Sequence, residues 1–193
     1  MCRKIVVWIV FLFCLSACSP PEPVIDQTVS YYDPDLHVVY YGFRIQDPRP
    51  LRNVQVKLTF DQQTQTVTIP RVDQTMYYAS AVEMSKPKTM KVRLLHYACG
   101  KKRSIDPLQI SAVHIDKGTY STTLSGLVKN RSQKTVTPMI TAVYRRHGKP
   151  VAMKAGFADR LNAKQESHFD FPVQSDSLLP TYDSVHLYVY PMN

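Results

Sequence analysis

Cysteine nearly vanishes from this chain after its first eighteen residues. Cys2, Cys14 and Cys18 lie in or beside the opening apolar run, and Cys99 is the only other one. Beyond that run the chain therefore has no internal disulfide framework, unless Cys18 pairs with Cys99. No apolar run reaches the roughly 20 residues that a spanning helix needs; Ile5 to Leu15 is followed too soon by Pro20, Pro21 and Pro23. Catalytic signatures are missing as well: the chain holds no G-x-S-x-G elbow, H-E-x-x-H pair, P-loop or C-x-x-C pair. It also lacks RNP-type aromatics, zinc-finger spacings and basic helices, so its +9 formal charge carries no nucleic-acid reading. Neither an enzyme nor a cofactor or metal protein is expected, and no nucleic-acid partner.

His96 and Cys99 come nearest to a metal-ligand pair, but His37, His114, His147, His168 and His186 are scattered and supply no further ligands. Cys99 reads instead as a small buried hydrophobe. Asp33-Pro34-Asp35 sets two carboxylates close together, and aspartate beside proline reads as a turn former.

What the chain has in quantity is short, alternating apolar runs. Val54, Val56, Leu58 and Phe60 share one face of a strand, with Gln55, Lys57 and Thr59 on the other; Val185, Leu187 and Val189 alternate likewise. Between such runs lie Asp47-Pro48-Arg49-Pro50, Asp61-Gln62-Gln63, Lys86-Pro87-Lys88, Asn130-Arg131-Ser132 and His147-Gly148, which punctuate short strands as loops. Only Phe157 to Gln165 suggests a turn or two of helix. With an offset of 84 residues, YGFRIQDPRPLRNVQVKLTFDQQTQTVTI at 41–69 aligns without a gap on SGLVKNRSQKTVTPMITAVYRRHGKPVAM at 125–153. Gly42 then meets Gly126 and Phe60 meets Tyr144. The expected fold is all-β: two tandem immunoglobulin-like β-sandwiches, 28–106 and 107–193, joined near Gly100–Pro107.

The first residues have the anatomy of a secretory signal: Arg3 and Lys4, the apolar core Ile5 to Leu15, then small Ser16 and Ala17. Leu15-Ser16-Ala17-Cys18 resembles the lipobox of bacterial lipoproteins. That resemblance implies a signal peptide at 1–17, a diacylated Cys18 thiol and an acylated new amino terminus, which together hold a domain at the bilayer. Ser19, where aspartate would imply inner-membrane retention, implies the periplasmic face of the outer membrane. Residues 18–27, with three prolines, read as a short tether of about 25–30 Å. Without Met1 to Ala17, whose only charges are Arg3 and Lys4, 22 basic residues face 15 acidic ones and the charge is +7.

The second half resembles the FxLYD type of immunoglobulin-like domain. Gly126-Leu127-Val128-Lys129-Asn130 stands for its Gly-x-Val-x-Asn strand end, Ala142 to Lys149 for its Leu-Tyr-Asp strand and glycine hairpin, and Leu161 to Glu166 with Phe169 and Phe171 for its turn and phenylalanine strand. Arg145 replaces the family's aspartate and Gln165 its glycine. The resemblance implies a binding or structural module.

Two surfaces suggest themselves. The doublets Tyr31-Tyr32, Tyr40-Tyr41 and Tyr77-Tyr78 must each turn one ring to either side of a sheet. Tyrosine is enriched in interface cores, so the outward rings read as a protein-docking face, or else pack on the second domain. Lys101-Lys102-Arg103, with Lys86, Lys88 and Lys91 nearby in sequence, forms a candidate basic patch at the joint. The leading expectation is a lipid-anchored accessory or structural subunit of an envelope assembly, such as secretion machinery, held to membrane lipid through Cys18. The alternative is a binding module for an anionic envelope glycan or lipid.

Overall fold

The computed structural model describes residues 21–73, 75–103, 107–117, 122–173 and 179–192. Cys18, the signal segment and Ser104 to Asp106 of the joint lie outside them. The described chain is all-β, with twelve strands and, among the described residues, no helix. They are β1 (Val24–Asp33), β2 (Val38–Gln46), β3 (Leu51–Phe60), β4 (Gln63–Val72), β5 (Thr75–Glu83) and β6 (Met90–Cys99), then β7 (Leu108–Lys117), β8 (Thr122–Asn130), β9 (Pro138–Arg146), β10 (Lys149–Phe157), β11 (Glu166–Val173) and β12 (Ser184–Pro191). The helical turn expected over Phe157 to Gln165 is not formed. Leu161 there bridges Val136 instead, each N–H donating to the other's carbonyl.

Four three-stranded antiparallel sheets result, β1-β2-β5, β4-β3-β6, β11-β8-β7 and β10-β9-β12. The second six strands repeat the order of the first six. In immunoglobulin terms each half sets an A-B-E sheet against a C-F sheet extended by C′. Val39, Tyr41, Phe43 and Ile45 of β2 pack with Val54, Val56, Leu58 and Phe60 of β3 in one buried cluster, and each such side chain contributes about 1.5–3 kcal/mol by leaving water. In the second half Val128, Ile140 and Phe169 form one cluster, and Leu124, Ala142 and Tyr144 another.

Two irregularities mark equivalent positions in the halves. β1 bulges against β2 between Asp26 and Val29, and β7 bulges against β8 between Ser111 and His114. Gln27 and Ala112, inside those bulges, both adopt positive φ, 48° and 49°. The β3–β4 and β9–β10 turns also match, with Asp61 at φ 49° and His147 at φ 51°. Gly148 comes next at φ 76°, giving the two-residue left-handed turn that suits the twist of a hairpin.

These landmarks correct the gapless alignment. Val29 opposes Gly42 just past the first bulge, and His114 opposes Ser125 just past the second, so Gly42 corresponds to Ser125 and not to Gly126. The two glycines face opposite ways. A Cβ on Gly42 would lie 2.6 Å from the Met153 Cβ of the other half, whereas one on Gly126 would lie 2.8 Å from Phe169 Cζ in its own core. Counting back from the hairpins, Tyr144 corresponds to Leu58 and not to Phe60. A one-residue slip, as at β2 and β8, reverses a strand's faces, and a two-residue slip, as at β3 and β9, preserves them, so the alignment kept the alternation of β3 alone.

The halves are joined face to face. β10 lies across β1, β2 and β5, and β9 and β12 reach β5. The layers therefore run β4-β3-β6, β1-β2-β5, β10-β9-β12, β11-β8-β7, with two sheets inside and two outside. β1 begins at Val24, so the last four residues of the segment expected as tether, Val24 to Gln27, belong to the sheet.

Candidate functional site: a cationic cleft beside the entering chain

Tyr41 and Tyr77 are buried and the other four doublet tyrosines half-buried, so the rings expected to face outward pack on the second half instead of forming an open docking face. Tyr32, Tyr41 and Tyr78 turn into the first half's own core. Tyr31, Tyr40 and Tyr77 turn the other way, as alternation requires, and meet the second half. Tyr77 packs on Tyr188 with centroids 4.4 Å apart and rings tilted by 33°, its hydroxyl accepts a hydrogen bond from Arg145 Nη2 at 2.9 Å, and its N–H donates to the Tyr190 hydroxyl at 2.9 Å. Tyr31 and Tyr40 stack at 4.9 Å, and Lys154 Nζ lies 4.8 Å over the Tyr40 ring. Burial pushes the Tyr31 phenol above its ordinary range, and the Tyr41 phenol to about 12. The same burial lowers the Lys154 ammonium, which the Asp33 carboxylate partly offsets.

Asp33 and Cys99 depart from one another in how they fit expectation. Asp33 is buried, and its Oδ1 accepts the N–H groups of Asp35 and Leu36, closing the β1–β2 turn. Cys99 is exposed, not buried, at the end of the edge strand β6, where it pairs with Leu51. Among the described residues no three His, Cys, Asp or Glu side chains converge.

The basic joint grows into something larger. A cleft of about 920 Å³ opens at the end of the molecule where the β2–β3, β8–β9 and β10–β11 connections gather. Lys102 and Arg103 line it, as do Arg52 and Arg71 at strand ends of the outer sheet β4-β3-β6. Arg131, Lys134 and Lys164 arrive from the second half. Pro70, Pro107, Pro191 and Val136 supply apolar lining, and no acidic residue is among the described lining residues. Lys101, exposed, contributes its carbonyl, which accepts Arg71 Nη2 at 2.5 Å. At the rim Asp73 binds Arg71 at 2.6 Å and lies 3.6 Å from Arg103 Nε, fixing both guanidinium groups.

Asn130 builds the opposite wall. It is fully buried at the end of β8, and its amide nitrogen donates to the carbonyls of Lys134, Leu161 and Asn162 at 2.7, 3.2 and 2.9 Å. Its carbonyl oxygen accepts the N–H and hydroxyl of Ser132 at 2.9 and 2.8 Å. One side chain thereby ties the Arg131–Lys134 loop to the turn carrying Lys164, whose Nζ donates to the Arg131 carbonyl at 2.6 Å. Arg131 N–H in turn donates to the carbonyl of Pro107, just after the joint, at 2.6 Å. The strand-end asparagine thus has a structural task, and the cations of the cleft wall are held in place by it.

The chain enters at this same end. Arg49 Nη2 donates to the Pro21 carbonyl at 2.7 Å, and the neighbouring Pro50 carbonyl accepts Gly100 N–H at 2.7 Å just before Lys101. Arg52, two residues past Pro50, is on the cleft. Sequence reasoning found Lys101, Lys102 and Arg103 as a run. It missed Arg52 and Arg71, which lie at strand ends, Arg131 and Lys134, which share the β8–β9 loop, and Lys164 of the β10–β11 connection.

Neither a family model nor a curated protein matches this chain. Among solved structures, the C-terminal globular domain of an oligosaccharyltransferase from Pyrococcus abyssi is similar over 87% of this chain and 45% of that one, at 10% identity and a TM-score of 0.20. The chain thus spans less than half of that neighbour, and a likeness at this score carries no argument about fold or function.

Proposed function

We propose that this chain is a lipid-anchored, non-catalytic binding module that holds an anionic headgroup of the envelope in its cationic cleft. The single observation that carries the reading is the convergence of seven cationic side chains around one cleft, at the end where Pro21 enters. If Cys18 is acylated, as its lipobox-like setting implies, Pro21 lies three residue steps beyond it, a reach of about 10 Å. The cleft would then open toward the bilayer, where each cation near an anionic surface contributes about 1 kcal/mol. FxLYD-like, immunoglobulin-like sandwiches suit such a scaffold, because loops gathered at one end of a sandwich present a site on a rigid body. The periplasmic face of the outer membrane is the location that Ser19 supports. A protein-docking subunit, the leading reading of the sequence, would need an exposed strand edge, because the tyrosine rings pack within and between the sheets.

The test is binding of residues 19–193, without acyl chains, to phosphatidylcholine vesicles with and without phosphatidylglycerol. Binding should require the anionic lipid, weaken with salt, and fall about tenfold or more in Arg131→Ala/Lys134→Ala. Equal binding to both vesicles, or an unaffected double variant, removes the lipid reading. Capture of a soluble acidic oligosaccharide with no vesicle binding makes the ligand a glycan.

A further inference from the structure

The two halves stack in an open way. The A-B-E sheet of the first half covers the C′-C-F sheet of the second, so each half uses a different face, and both turn their Asp47 and Asn130 ends toward the cleft. A heterologous contact of this kind does not close on itself. It leaves the first half's C′-C-F face and the second half's A-B-E face uncovered at opposite ends of the molecule.

The residues on those free faces are the counterparts of the residues that meet inside. Ala79 opposes Gly42 as Asp170 opposes Ser125, so Asp170 stands in β11 where Ala79 stands in β5. Counting back from the hairpins, Lys57 stands in β3 where Val143 stands in β9. Ala79 and Val143 belong to one buried cluster between the halves. Their counterparts are a carboxylate on one free end and an ammonium on the other.

The surroundings agree in sign. On the β4-β3-β6 face Lys57 sits directly opposite Arg93, with Lys91 opposite the next outward residue, Thr59, and Thr64, Thr66 and Thr68 along β4. Like charges facing each other across strands destabilise a free sheet, and an anionic cover would relieve them. On the β11-β8-β7 face Asp116, Asp170 and Glu166 are exposed, with Lys129 the cation opposite Glu166.

We propose that the chain associates head to tail with further copies of itself, the acidic β11-β8-β7 face of one copy covering the basic β4-β3-β6 face of the next, with Asp170 against Lys57. Repeating the internal stacking keeps every Pro21 end on one side, as a row of anchored copies requires. The contact is polar where the internal one is apolar, so it is weak, reversible and salt-sensitive.

The experiment is sedimentation of the full chain across a concentration series at low and high salt, in non-ionic detergent so that the apolar first segment adds no association. The wild type should associate at low salt. Lys57→Glu/Arg93→Glu and Asp116→Lys/Asp170→Lys should each weaken self-association about tenfold or more. An equimolar mixture of the two should recover it, because each reversed face then meets a complementary one. Recovery cannot come from misfolded variants or from the first segment. A wild type that stays monomeric at low salt, or a mixture that fails to recover, overturns the proposal. So does binding of an acidic polymer by the basic face with no self-association. None of these outcomes bears on the cleft, whose residues are untouched.

Discussion

β3 and β9 hold the same place in their halves, yet one alternates and the other does not. β3 is buried on one face and carries Gln55, Lys57 and Thr59 on the other; Pro138 to Tyr144 of β9 are buried on both faces. Their own sandwiches do not explain this, since each strand is central in a three-stranded sheet of equivalent order. The difference is what lies beyond. Solvent meets the outer face of β3, whereas the tyrosine-bearing sheet β1-β2-β5 covers the outer face of β9. β2 shows the reciprocal pattern, buried on both sides from Tyr41 to Phe43 and admitting Met153 only because residue 42 is glycine. Strand order therefore belongs to the repeat, while the hydrophobicity of each face belongs to the stacking.

Exchanging the counterparts breaks the comparison most sharply. Val143→Lys places at the inner position the residue that β3 tolerates outside, and an unpaired charge between the halves should cost about 3–5 kcal/mol. Lys57→Val makes the opposite change on an exposed face and should alter stability by no more than about 0.5 kcal/mol. Urea unfolding of both variants checks the pair. Equal effects would mean that the halves do not bury this face against each other in solution.

The same contrast marks what the sequence could disclose. Alternation was legible in β3 and β12, and the all-β class came from it. Each tyrosine doublet was rightly read as pointing one ring to each side, but periodicity says only that a ring leaves one core, not whether solvent or a second sheet receives it. Gly42 and Gly126 looked like a matched pair because each relieves a close approach, yet they relieve different ones. The cleft was legible only where its cations are adjacent, as Lys102 and Arg103 are. Arg52, Arg71, the Arg131–Lys134 loop and Lys164 are far apart in the sequence and meet because strand ends and connections of both halves gather on one side, a fact of topology that no local pattern carries.

A smaller effect should sharpen the comparison at the ends of β2 and β8, where Asp47 and Asn130 each pin the adjoining loop. Asn130→Ala leaves several buried backbone groups without their hydrogen bonds and should cost about 2–3 kcal/mol. It should also loosen the cleft wall, seen as faster amide exchange at Ser132 and Val136.

Asp47 does the first half's version of this work with a carboxylate. Its Oδ1 accepts Arg49 N–H and Nε–H at 2.7 and 2.9 Å, and its Oδ2 accepts Nη2 at 2.7 Å. Those bonds, the side-chain ones foremost, hold its carboxyl below the ordinary value. A carboxyl lowered in the native state adds stability above its unfolded value near pH 4, and that contribution is lost as pH falls through the lower native value. Asp47→Asn should therefore cost about 1–2 kcal/mol at neutral pH, and the gap to wild type should close as the solution is acidified below about pH 4. Asp61 and Asp183 are also lowered, by N–H donors of Lys88 and His147 in the first place, but both variants keep them, so the difference isolates Asp47. The Asn130 variant should show no such closing, because an amide has no proton to gain. A gap for Asp47→Asn that stays constant into strong acid would mean that shape and not charge makes Asp47 the counterpart of Asn130.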